Sequence, residues 1–203
     1  MRYLLLLLVS SIFLTGCAGS LLPEAAPAPQ QWLLKRLPST PTTLAVNQPN
    51  LGVNLAVERP TAPTPLRSRE IWYRSQTHQL SPFSEQVWAE SLDQQIQQRV
   101  SDYLGQQAWL NTSLHDQPGY RSAYRLRITL QEWYLNTQTQ QLDIALQINL
   151  LDATGKSLLQ QQWVAHPDVA ALNTTAMLEV SQKWLDEWAA EVAFLLYERL
   201  KQP

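Results

Sequence analysis

Leu142, Ile144, Leu146, Ile148 and Leu150 alternate with Asp143, Ala145, Gln147 and Asn149. This period of two fits an extended strand with one face buried and the other wet, and no helix tolerates it. Upstream, Tyr124, Leu126, Ile128 and Leu130 alternate with Arg125, Arg127, Thr129 and Gln131. The stretch NTQTQ at 136–140 joins the two strands, and DATGK at 152–156 turns into a third that ends near Val164. Short connections of this kind make antiparallel neighbours. The chain must therefore cover one face of a three-stranded meander.

Two helical patterns supply the cover. From Glu85 to Gln107, the residues Trp88, Leu92, Ile96, Val100, Tyr103 and Leu104 recur at steps of three and four. Gly105 is expected to end this helix in a left-handed cap, and Glu90, Gln94, Gln97, Gln98 and Asp102 are expected to face water. From Thr174 to Leu200, capped by Asn173 or Thr174, Met177, Trp184, Leu185, Trp188, Val192, Leu195 and Leu196 form the apolar stripe. Phe194 and Tyr197 lie off it, which marks them for contact with another copy or a partner. Further strands are expected at Leu51–Val57, Glu70–Ser75 and His78–Phe83. The predicted class is α/β: a mixed, partly antiparallel sheet of five to six strands covered by two long amphipathic helices.

The N-terminus is of another kind. Arg2 and the apolar residues Leu4 to Leu14 read as a secretory leader, too short to span a bilayer. It closes on Leu14-Thr15-Gly16-Cys17, and Cys17 is the single cysteine of the 203 residues. This stretch resembles the lipobox of bacterial lipoproteins. The resemblance implies a diacylglycerol thioether on Cys17, cleavage before it and an N-acyl chain, with no other cofactor. Two or three acyl chains anchor a protein stably where one does not. Ala18 stands where inner-membrane retention usually shows aspartate, so the expected location is the periplasmic face of a bacterial outer membrane. With one cysteine, an internal disulfide is impossible. PEAAPAPQQ follows with the composition of an extended spacer. The expected division is a leader at 1–16, a lipidated tether at 17–30, and one domain at 31–203.

Sites of chemistry are absent from the pattern. His78, His115 and His166 are scattered, without metal-ligand spacing. T-G-K-S at 154–157 lacks the upstream glycine of a phosphate loop and reads as a hairpin turn. Asp186, Glu187 and Glu191 fall on the solvated side of the last helix. A formal charge of -2 with no basic run excludes the footprint of a nucleic-acid binder. Arg67, Arg69 and Arg74 form a small cluster suited to an anionic headgroup or a partner carboxylate, or to structural pairing. Among eight tryptophans, Trp32, Trp72 and Trp109 sit near element ends, where an amphipathic ring suits an interface as well as a core.

The order of these pieces carries a resemblance: lipobox, spacer, LGVNLAVERP, IWYR, then EQVWAESLDQQIQQRVSDYL, the meander and the final helix. The chain resembles the ABC-type transport auxiliary lipoproteins, a group that includes the paraquat-inducible PqiC type. Its most specific piece is Trp88-Ala89-Glu90-Ser91-Leu92, whereas TAPTPLRSRE departs from the family pattern. The resemblance implies a non-enzymatic partner of a system built from an ABC ATPase and permease and an MCE-family periplasmic protein, moving lipid between membranes. Two other classes fit the residues: a carrier that itself holds lipid, and a lipoprotein activator of a cell-wall synthase.

Overall fold

The computed structural model describes residues 27–35, 48–116, 120 and 122–202. Cys17, the leader and most of the tether lie outside the described residues. Among the described residues eight strands and three helices follow one another: β1 Gln30–Trp32, β2 Val53–Val57, α1 Thr64–Arg67, β3 Glu70–Gln76, β4 Gln79–Trp88, and α2 Leu92–Gly105. After them come β5 Leu110–His115, β6 Tyr124–Asn136, β7 Gln141–Asp152, β8 Ser157–Ala165 and α3 Thr174–Leu200.

All eight strands form one mixed sheet, rather than the five or six expected. β6 is its spine. One edge of β6 pairs antiparallel with β7 along its whole length, and β8 pairs antiparallel beyond β7. The opposite edge is shared end to end: Leu55, Ala56 and Val57 of β2 pair beside Tyr124, Arg125 and Leu126, and Tyr73 and Arg74 of β3 pair beside Leu135 and Asn136. Between them, Thr61 bridges to Thr129. These pairings on β6 are parallel. β5 runs parallel outside β2, β4 runs antiparallel outside β3, and β1 runs parallel outside β4.

The meander falls where the alternation puts it. Its first strand outruns the visible pattern because the register shifts between Leu130 and Glu132, leaving Gln131 as an extra residue. Beyond this bulge Trp133 and Leu135 return to the buried side, so the face is kept although the parity of the sequence changes. Gly155 takes a φ of 86° in the turn to β8, where a glycine meets no Cβ penalty. The Asp152 carboxylate fastens this turn, accepting from the Thr154 amide at 2.8 Å, the Thr154 hydroxyl at 2.6 Å and the Lys156 amide at 3.0 Å.

The first long helix begins seven residues later than expected. Glu85 to Trp88 complete β4, and the chain leaves the sheet only after the Trp88 amide donates to Arg69 O and the Ala89 amide to Trp32 O, both at 2.7 Å. Trp88 is four residues before Leu92 and points into the same core, so its spacing imitates a helical turn. Gly105 is the last helical residue and is not left-handed; among the described residues only Gly52, Gly155 and Gln140 have positive φ.

Of the face of α2 expected to meet water, Glu90 and Gln94 are exposed and Gln98 and Asp102 half-buried, but one member is corrected. Gln97 is buried and donates to Val57 O at 2.9 Å. Asp93, Gln95, Arg99 and Ser101 are buried as well. α2 packs over β2 and β5 on one side and against α3 on another. The segment Trp32–Lys35 closes over it, with the Leu34 amide donating to Gln95 Oε1 at 2.8 Å. Glutamine suits such a place because it can bind backbone without carrying charge.

α3 starts where expected, with the Asn173 side chain accepting from the Ala176 amide at 2.9 Å. It covers β7 and β8 on the same side of the sheet as α2. Leu126, Ile128, Leu130, Leu146, Ile148 and Leu150 meet Leu185, Val192 and Leu196 in one core. Each such fully buried side chain stabilises the fold by about 1.5–3 kcal/mol. A chain of tryptophans joins β6, α3 and β8: Trp133 to Trp184 edge-on at 5.7 Å, Trp184 stacked on Trp188 at 6.0 Å, and Trp188 edge-on to Trp163 at 5.8 Å.

Candidate functional site

The side of α3 away from the sheet forms, with Trp32–Lys35, an open groove of about 590 Å³. Trp32, Leu33, Leu34 and Leu178 give it an apolar lining, and Lys35, Glu179, Lys183 and Glu187 stand around it. Beside it, Arg99 of α2 donates to the Asp186 carboxylate and to Lys35 O. Burial lowers the Arg99 pKa from its ordinary value, because desolvation disfavours the charged form. This ion pair ties α2, α3 and the N-terminal segment together. It places Asp186 in a structural role, where the sequence pattern suggested only a solvated face.

The predicted contact residues do not gather in one place. Phe194 is 55% exposed on α3, as its position off the stripe implied. Tyr197 is half-buried and packs on Trp109 at 5.8 Å, so it serves the seam between α3 and the start of β5. Trp109 is fully buried and has no surface to offer a partner. Trp72 is half-buried, with its indole N–H directed to Ser68 Oγ at 3.4 Å.

The three arginines also separate. Arg67 ends α1, exposed and without a carboxylate partner among the described residues. Arg69 donates from Nε to Trp88 O at 2.8 Å, which fixes the corner between β3 and β4. Arg74 donates to Asp143 at 3.0 Å and to Glu132 at 3.3 Å, and lies over the Tyr134 ring at 5.5 Å. Asp143 is buried and also accepts from Asn136 Nδ2 at 3.0 Å, with His166 Nδ1 at 2.9 Å. Arg74 is thus committed to joining β3, β6 and β7. Burial raises the Tyr134 pKa above its ordinary value, so this phenol stays neutral under the guanidinium. Among the described residues, Arg74 is thus ion-paired, Arg69 holds a backbone carbonyl, and Arg67 has no carboxylate partner.

Among the described residues there is no group of three or more histidine, cysteine or acidic side chains able to hold a metal ion. Among the same residues no helix is long and apolar enough to cross a membrane. The groove as a whole was not legible in the sequence, because it depends on which elements become neighbours. A local signal for the groove did exist in the adjacent apolar residues Trp32, Leu33 and Leu34.

The fold has relatives among solved structures. Protein XCC0632 from Xanthomonas campestris, of the DUF330 family, superposes with a TM-score of 0.73 at 16% identity, covering 85% of this chain and 98% of that one. An uncharacterised protein of known structure superposes with a TM-score of 0.66, also at 16% identity, over 84% of this chain and 99% of its own. At that identity the likeness shows a shared fold. No curated protein matches the sequence. The family model described as the ABC-type transport auxiliary lipoprotein component matches residues 33–193, from the rim of the groove through most of α3. That span takes in the sheet spine, the Trp88–Leu92 corner, α2 and most of α3, and by it the chain belongs to the ABC-type transport auxiliary lipoprotein family.

Proposed function

We propose that this chain is a non-enzymatic accessory to an ABC/MCE-type intermembrane lipid transport system. Acyl chains on Cys17 hold it at the periplasmic face of the outer membrane, and its folded body docks the MCE-family periplasmic component. The observation that carries the reading is the family match across nearly the whole folded body. The exposed Phe194 supplies a physical anchor for docking: a large apolar ring in water on a helix whose buried side is already filled.

The test is capture of the MCE component from solubilised envelopes by the intact chain. Phe194→Ser should weaken capture about tenfold or more, the scale of a buried aromatic anchor, while the melting curve stays unchanged. Undiminished capture would remove Phe194 from the docking surface. Failure of the wild-type chain to capture any MCE protein would overturn the function itself. Cys17→Ser should move the protein from the membrane fraction to the soluble periplasm.

The groove supports a second reading, in which the chain carries lipid itself. Its volume and apolar lining beside charged rims suit an acyl tail with a polar head. Mass spectrometry of native Cys17→Ser protein should then find co-purifying phospholipid, and Leu178→Lys should remove it. An empty spectrum for the unsubstituted groove would sink this reading.

A further inference from the structure

β8 is the sheet's outer strand on the meander side. Among the described residues it pairs with β7 alone. Such an edge presents unpaired N–H and C=O groups, and proteins guard it with lysine, proline or shortness. β8 is nine residues long, SLLQQQWVA, and has neither charge nor proline. Gln160, Gln161 and Gln162 are exposed, and Val164 is 63% exposed. At its start the edge is guarded, since Leu158 is an extra residue in a bulge and its C=O accepts from Arg199, but from Leu159 onward the strand has no such guard among the described residues.

The sequence of β8 is also complementary to itself. In its register with β7, Leu159 stands opposite Leu150 and Trp163 opposite Leu146, so both point to the helix side. Gln160 opposite Asn149 and Gln162 opposite Gln147 point to the other face. Antiparallel pairing of β8 with its own copy about Gln161 would set each Leu159 against the copy's Trp163 and each Gln160 against the copy's Gln162. On the helix side, where Gln161 stands opposite Ile148, apolar pairs would flank a Gln161–Gln161 pair at the dyad, and on the other face amide would meet amide, the favourable cross-strand pairs.

Helix geometry permits the same arrangement. α3 lies over β7 and β8, and strands are spaced about 4.8 Å apart, so the two α3 helices would run roughly 10 Å apart, a normal packing distance. Arg199 bonds to Leu158 O at 2.9 Å on the β8 side of α3, and half-buried Leu195 lies one turn before it. That residue would be covered by the second helix.

We infer that β8 is an isologous interface through which two copies of this chain join their sheets edge to edge. The inference does not depend on what the assembly transports. The full chain in detergent should have a protein mass of two copies by light scattering. Gln161→Lys and Gln161→Asp each place like charges face to face across the dyad, and each alone should give monomers. Mixing the two variants should restore the dimer, an outcome that misfolding or detergent cannot imitate. Gln161 is exposed, so the melting curves should not move. A wild-type monomer, as expected if β8 instead receives a strand from another protein, overturns the inference. An assembly whose mass ignores both substitutions overturns it equally.

Discussion

At the scale of single residues, two carboxylates show how position decides what a charge does. Asp93 is buried in the first turn of α2 and meets Arg59 Nε at 2.6 Å, while Arg59 itself is half exposed. Their hydrogen bond raises the Arg59 pKa. Losing one member of a buried pair costs more than losing both, since the other is left uncompensated. Arg59→Ala should therefore destabilise the fold by about 2 kcal/mol, less than a fully enclosed pair because helix N–H groups still favour the carboxylate. Asp93→Asn, which leaves only an exposed cation, should cost less in the same urea titration. Asp152, by contrast, is solvated, and the Thr154 hydroxyl is the main cause that holds its pKa below the ordinary carboxylate value. A depressed folded-state pKa means that the stabilisation is present above the unfolded value, about 3.9, and is lost as pH falls through the folded one. Thr154→Ala should raise the Asp152 pKa in a carboxyl NMR titration and shrink that acid-side loss. No change in the Asp152 midpoint would show that the backbone donors alone set it.

At the scale of elements, what could be seen beforehand was what repeats locally. The alternation in β6 and β7 and the stripe on α3 each reflect one element facing one surface, and they appear where the periodicity places them. β5 was missed because LNTSLH has no clean alternation, and its place comes from parallel pairing with β2. β1 was missed because three residues cannot show a period. The start of α2 was misjudged because Trp88 serves the same core from a strand. Of its polar side only Gln97 was misjudged, because it reaches Val57 O on β2, a strand far away in sequence. The helix signal that did hold was the cap of α3, and it should matter in proportion. Asn173→Ala removes the acceptor for the Ala176 amide and should cost about 1 kcal/mol by thermal unfolding. Asn173→Asp retains that acceptor and should cost little. Of the predicted contact residues Phe194 is largely exposed, as its own helix dictates, while Tyr197, Trp109 and Arg74 each found a partner supplied by another element.

At the scale of the molecule, β6 makes the two halves of the sheet inseparable. β2 and β3 lean on one edge of it, the β7–β8 pair leans on the other, and α2 and α3 close the same core from above. No seam in this arrangement lets one half melt while the other keeps its buried surface. A body of this kind should unfold in a single cooperative transition. Two probes can challenge this, because they report on different regions. The tryptophan chain Trp133, Trp184, Trp188 and Trp163 reports on α3 and the meander, whereas far-UV circular dichroism reports on all elements together. Their urea midpoints should coincide, and Trp188→Phe should move both by the same amount. Separate midpoints would mean that α3 and the meander form a unit able to open alone. In that case the β2–β5 half would be a second body resting on β6, and the surfaces on α3 and β8 could rearrange without disturbing it.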